Sequence, residues 1–72
     1  MESVNYWTNA SGNSLWNNPA NWSCGSIPDQ NTNVIINRGK VFLNSDAVVR
    51  SLTIKQGANI NVETGYTLKV IQ

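Results

Sequence analysis

The stretch Ser51-Leu52-Thr53-Ile54-Lys55-Gln56-Gly57-Ala58-Asn59-Ile60-Asn61-Val62-Glu63-Thr64-Gly65-Tyr66-Thr67-Leu68-Lys69-Val70 decides the fold, because it repeats itself every eight residues. Leu52 and Ile54 are followed by Ile60 and Val62, then by Leu68 and Val70, with Gly57 and Gly65 between the pairs. Aliphatic residues two apart with a polar residue between them bury one face of a short strand. A single unit of this kind cannot bury its apolar face alone, so a fixed period predicts stacked strand–turn units.

The same alternation extends backward. Val34 and Ile36, Val41 and Leu43, and Val49 continue the apolar series, which predicts strands at 33–37, 40–44, 48–55, 59–63 and 67–71. Phe42 falls on the opposite parity from Val41 and Leu43. No segment carries helical periodicity. The prediction is a single all-β domain over 1–72. Two architectures fit it: a short right-handed parallel β-solenoid, or a small antiparallel β-sandwich whose glycine loops are hairpins. The constant spacing favours the solenoid, with Gly39, Gly57 and Gly65 at corners that need positive φ or close packing.

Residues 1–32 differ in kind. Tyr6, Trp7, Trp16 and Trp22 lie among Asn, Ser and Gly with no sustained period, apart from a strand predicted at 4–8. Asn18-Pro19-Ala20-Asn21-Trp22 reads as a turn or one helical turn, Pro being favoured at a first helical position. The chain thus divides near Pro28 into a Trp/Asn-rich cap segment, 1–32, and β coils, 33–72.

Composition narrows the function. Seventy-two residues make at most one domain, near the size at which a single core stabilises itself with difficulty. A net charge of +1, with five basic residues evenly spread through the strand region, argues against nucleic acid as a partner. Histidine is absent and Cys24 stands alone, so the commonest general base, an intrachain disulfide and a cysteine metal site are all missing. No run approaches the roughly 20 apolar residues of a membrane-spanning helix, so no membrane insertion is expected. Met1 leads into a polar segment rather than a signal peptide, so secretion would need a leader outside this sequence. Twelve asparagines and few charges lean toward an extracellular setting.

The series Trp7…Leu15-Trp16-Asn17…Ala20-Asn21-Trp22-Ser23…Gly25…Pro28…Val34-Ile35-Ile36…Gly39…Val41, followed by Ser51-Leu52-Thr53-Ile54…Gly57-Ala58…Gly65…Thr67-Leu68…Val70, resembles the start of bacterial surface β-helix proteins. Similar openings occur in secreted proteins of the Bacteroidetes type and in autotransporter-like passengers, and the pattern also resembles the G8 module of large extracellular proteins. The likeness spans residues 6–71. It implies a tryptophan-rich N-terminal cap followed by solenoid coils, on the bacterial cell surface or secreted.

Candidate sites follow from the residue types. Tyr6, Trp7, Trp16 and Trp22 beside asparagine amides suit sugar rings, so a carbohydrate-binding module is one expectation; the other is that these rings close the open end of a solenoid. Asp29, Asn31 and Asn33 match the opening of a calcium loop but lack its following Gly and its twelfth-position Glu, and an Asx-rich turn accounts for the same residues. Asn9-Ala10-Ser11 and Asn21-Trp22-Ser23 satisfy the glycosylation triplet. Acid–base carboxylates are limited to Glu2, Asp29, Asp46 and Glu63, and with no nucleophile elbow or histidine no enzyme and no cofactor are expected.

Thr67, Leu68, Lys69, Val70 and Ile71 form a last strand guarded only by Lys69, which predicts a self-association edge. The functional expectation is a non-enzymatic structural module. It caps, nucleates or self-stacks a cell-surface solenoid, with copies of itself or further coils as partners, and filaments and adhesion as outcomes. Glycans are the alternative partner.

Overall fold

The computed structural model describes residues 3–71. Glu2, one of the four carboxylates, lies outside the described residues. The protein is all-β: β1 (Ser3–Tyr6), β2 (Thr32–Ile36), β3 (Gly39–Leu43), β4 (Ala47–Val49), β5 (Ser51–Ile54), β6 (Ala58–Val62) and β7 (Leu68–Val70). A single 3₁₀ turn, Pro19–Asn21, interrupts the loop between β1 and β2, with the Asn18 side chain accepting from the Ala20 N–H at its start. Among the described residues no helix is long and apolar enough to cross a membrane.

The strands form three small sheets, ordered β1-β2-β5, β3-β6 and β4-β7, and every strand pair is parallel. Of consecutive strands only β1 and β2 pair among the described residues, and they do so in parallel across the long loop between them, which is not the hairpin arrangement of an antiparallel sandwich. Register explains the sequence period. Leu52, Ile60 and Leu68, eight apart, fall on three different sheets. Their paired partners stand 18, 19 and 21 residues earlier, at Val34, Val41 and Ala47. Eight residues therefore carry the chain from β5 to β6 and from β6 to β7, whereas the steps from Val34 to Val41, Ala47 and Leu52 are shorter, so that 18 to 21 residues bring it back to the same sheet.

One boundary departs from expectation. The strand predicted over 48–55 is two strands broken at Arg50, so six strands rather than five follow residue 31. Val49 is fully buried and Leu52 packs against the core, three residues on. Two inward side chains at odd spacing cannot share one flat strand, so the backbone turns between them.

Beneath the tryptophans the core is one aliphatic layer: Val34 and Ile36 from β2, Val41 and Leu43 from β3, Ala47 and Val49 from β4. All but Ala47 are fully buried. Removing such a side chain from water stabilises by about 1.5–3 kcal/mol. The next layer, from β5, β6 and β7, is different. Leu52, Ala58, Ile60 and Leu68 pack on the core, while Ile54, Val62 and Val70 are 41–44% exposed.

Gly57 has φ of 88° and a Cβ added there would meet nothing within 4 Å. The requirement for glycine at this corner is therefore backbone conformation and not close packing. Gly39 and Gly65 share the left-handed conformation, at 83° and 92°.

Candidate functional site

The two ends of this stack of strands differ, and the difference is built by side chains. At the N-terminal end Trp7, Trp16 and Trp22 are buried against the aliphatic layer. Trp22 stands edge-on to both others, with ring centroids 5.1 Å from Trp7 and 4.8 Å from Trp16. Its Nε1–H donates to the Trp16 carbonyl at 2.8 Å. Trp7 and Trp22 also bridge through their backbones in antiparallel sense. Rings covered in this way offer no face to a sugar, so the platform expected of Trp7, Trp16 and Trp22 is not formed. Tyr6 alone of the four keeps a large exposed surface.

Asparagines hold the loops over the tryptophans. Asn21 is fully buried and uses its whole amide: Oδ1 accepts from the Ser11 N–H and hydroxyl, and Nδ2 donates to Asn13 Oδ1 and the Leu15 carbonyl. Asn5 is nearly as buried; its Oδ1 accepts from the Cys24 N–H and the Ser23 hydroxyl, and its Nδ2 donates to the Ser26 carbonyl. Of the two glycosylation triplets, the one at Asn21 is closed in the folded chain, because its amide nitrogen is spent twice. Asn9 of the other triplet is partly buried at φ 51° and donates to Ser14 Oγ.

These same groups block strand edges. In a parallel ladder alternate residues point their backbone groups to opposite sides. On β2 the upward group of Ile35 meets β1, whose register partner is Tyr6, and its carbonyl accepts the Trp7 N–H. On β3 the Phe42 N–H donates to the Ser14 carbonyl and its carbonyl accepts the Trp16 N–H, so residues 14–16 act as a short parallel strand. Most of the outward backbone groups of these two segments are in turn taken up. Tyr6 N–H donates to Ser23 Oγ, Tyr6 C=O accepts the Ser23 N–H, and the Cys24 thiol donates to Val4 C=O. Leu15 N–H donates to Asn13 Oδ1, and Leu15 C=O receives Asn21 Nδ2 and the Asn18 N–H. The residues of 3–31 that cover these edges carry no sequence period, so the sequence marked this segment by its tryptophans but not this role of Asn13, Asn21 and Ser23.

Among the described residues the C-terminal end has no such covering. Lys55 N–H to Ile36 C=O, Glu63 N–H to Leu43 C=O and Ile71 N–H to Val49 C=O fix which residues face inward along each ladder. Alternation then leaves the backbone groups of Leu52 and Ile54, Ile60 and Val62, and Leu68 and Val70 on the outer edge. Within the edge expected over Thr67–Ile71, only Leu68 and Val70 have that orientation; Thr67 C=O accepts from Ala47, and Lys69 turns its backbone toward β4. The other two strands of the same layer were not anticipated as part of this edge.

The calcium candidates do not converge. Asp29 Oδ1 accepts from the Asn31 N–H and the Thr32 hydroxyl, forming an Asx turn, while Asn33 Oδ1 accepts the Ser51 hydroxyl from the next layer. Among the described residues no three His, Cys, Asp or Glu side chains come together. Asp46 Oδ1 accepts the Thr67 N–H, tying the corner before β4 to the one below it. Asp29 and Asp46 both line an open cleft of about 330 Å³ beside Trp16. A smaller one, about 260 Å³, lies between Trp7, Asn9 and Arg38.

No curated protein and no solved structure matches the chain. One family profile does, across residues 6–72, from the tryptophan-rich segment through the last strand. On that match the chain belongs to the family described as a domain of unknown function, DUF8693.

Proposed function

We propose that this domain is a non-enzymatic N-terminal cap that nucleates a right-handed parallel β-solenoid on or outside the bacterial cell surface. The observation that carries the reading is the contrast between its ends. The strand edges above β2 and β3 are paired and then sealed by Ser23, Asn13 and Asn21, whereas three strand edges below carry open backbone groups around exposed Ile54, Val62 and Val70. A cap needs one finished end and one template end. Parallel strands of one sheet joined by a crossover are right-handed in nearly all proteins, which supports the hand. The asparagine-rich, charge-poor composition supports an extracellular setting.

The natural partner of the lower face is a further coil entering in the register that β5, β6 and β7 already follow. Head-to-tail stacking of copies into a filament needs an upper face that accepts strands on all three sides, and two of those sides are sealed. Capping is therefore favoured over filament formation. A direct test extends the chain by tandem copies of residues 51–71 and compares it with the same extended chain lacking residues 1–31. The capped chain is expected to remain a discrete species, and the uncapped one to associate end to end. Equal behaviour of the two in sedimentation would refute a capping role.

A further inference from the structure

The upper edge of the coil has three sides, and the cap fills two of them. Ile35 on β2 is met by β1, and Phe42 on β3 by residues 14–16. The equivalent position on β4 is Val48. Ala47 N–H donates to Thr67 C=O and Val49 C=O accepts from Ile71, so both residues face β7. Val48, between them, turns its N–H and C=O the other way. Neither group has a partner among the described residues.

What lies against that edge is the cleft of about 330 Å³, lined by Trp16, Ile27, Pro28, Asp29, Asp46 and Val48 among others. Its volume falls in the range of ligand clefts, about 300–1,000 Å³. Ile27 and Val48 are exposed large aliphatics at its sides. Trp16, fully buried, has an indole N–H with no acceptor among the described residues. Two carboxylates, Asp29 and Asp46, line it and no basic residue does.

The geometry points to a strand-addition site: a short extended peptide carrying Lys or Arg docks parallel to β4, in the place that β1 and residues 14–16 occupy on the other two sides. Val48 supplies one N–H donor and one C=O acceptor to the peptide main chain, as Phe42 does to Ser14 and Trp16. Ile27 and Val48 contact its aliphatic side chains, and Asp29 and Asp46 select for positive charge. Both carboxylates keep their structural hydrogen bonds through one oxygen, so binding requires no loss of the Asx turn or of the Asp46–Thr67 contact. The site uses a different edge from the lower face and stands independently of the capping role.

The test uses the whole chain, isotope-labelled, and three capped pentapeptides: Ac-Thr-Lys-Val-Arg-Thr-NH2, the same peptide N-methylated at its Lys, Val and Arg amides so that no register keeps the donor equivalent to the Trp16 N–H, and Ac-Thr-Glu-Val-Glu-Thr-NH2. The basic peptide is expected to shift the Val48 amide and the Trp16 indole resonance and to slow exchange of the Val48 N–H. N-methylation should abolish those changes. Asp29→Asn and Asp46→Asn, which retain the structural acceptors, should each weaken binding by about threefold, the size of an exposed charge pair. Absence of shifts at Val48, equal binding of the N-methylated or acidic peptide, or shifts at Val48 that depend on protein concentration without peptide would each overturn the proposal. The last of these would mean that a second copy covers the cleft.

Discussion

The Nε1–H of Trp22 reaches the main-chain carbonyl of Trp16 at 2.8 Å while the two rings meet edge to face at 74°. One side chain thereby satisfies a buried acceptor and covers the apolar layer formed by β2, β3 and β4. Burial alone would be served by any large aromatic. The hydrogen bond is what makes tryptophan specific at this position.

Trp22→Phe removes the donor and leaves the Trp16 carbonyl buried without it. A lost partner of this kind costs about 1–3 kcal/mol, and the smaller ring adds a cavity term. The variant is expected to fold with a lower urea midpoint and an unchanged slope. A midpoint equal to the parent's would mean that the carbonyl finds another donor.

Asn21 offers a sharper case. Asn21→Asp keeps size and shape but replaces two donated bonds, to Asn13 Oδ1 and Leu15 C=O, with acceptor against acceptor. At full burial this should destabilise by roughly 3 kcal/mol or more, and less at low pH where the carboxyl is protonated. The sign follows from burial: the charged form is penalised in the folded state, so stability falls as pH rises through the carboxylate range. Unfolding curves at pH 4 and pH 7 check both statements.

Gly57 tests the corner. Since open space surrounds it, Gly57→Ala should cost about 1–2 kcal/mol from the left-handed backbone alone, and Gly57→Asn less, because Asn tolerates that region. Gly57→Val should cost more than either. If all three unfold with the parent, the corner does not hold its conformation in solution.

The lower face should make the free chain associate, and the sealed upper edges restrict how. Two copies meeting through like faces form a closed two-fold dimer. Replacing Ile54, Val62 and Val70 together by Thr should abolish the dimer in sedimentation while leaving the fully buried layer above intact. Filaments in micrographs of the parent chain would contradict a finished upper end.

Much of this was legible because strands announce themselves by parity. Val34, Ile36, Val41, Leu43 and Val49 alternate as inward residues must, and they are the fully buried aliphatics. The period of eight was equally visible, but the layer spacing of 18 to 21 was not, since the corners between β4 and β5 and between β6 and β7 differ in length. Even the break at Arg50 left a trace, in the odd spacing of Val49 and Leu52. The tryptophan-rich segment is harder to read. Asn5, Asn13 and Asn21 act through side-chain hydrogen bonds to backbone groups far along the chain, and no pattern of polar residues records which edge each one meets.

Coil addition measures the central claim most directly. Val49 pairs with Val70, so Ile71 stands where Arg50 stands, and a copy of residues 51–71 placed directly after Ile71 continues in register. Each added copy buries the exposed Ile54, Val62 and Val70 of the layer above it. Thermal unfolding of chains with none, one and two added copies should show Tm rising by more than about 4 °C at the first addition and a single cooperative transition throughout, the increment expected for about 1 kcal/mol in a domain of this size. An unchanged Tm, with amides of the added segment exchanging as freely as in an unfolded peptide, would show that the lower face is not a template for further coils.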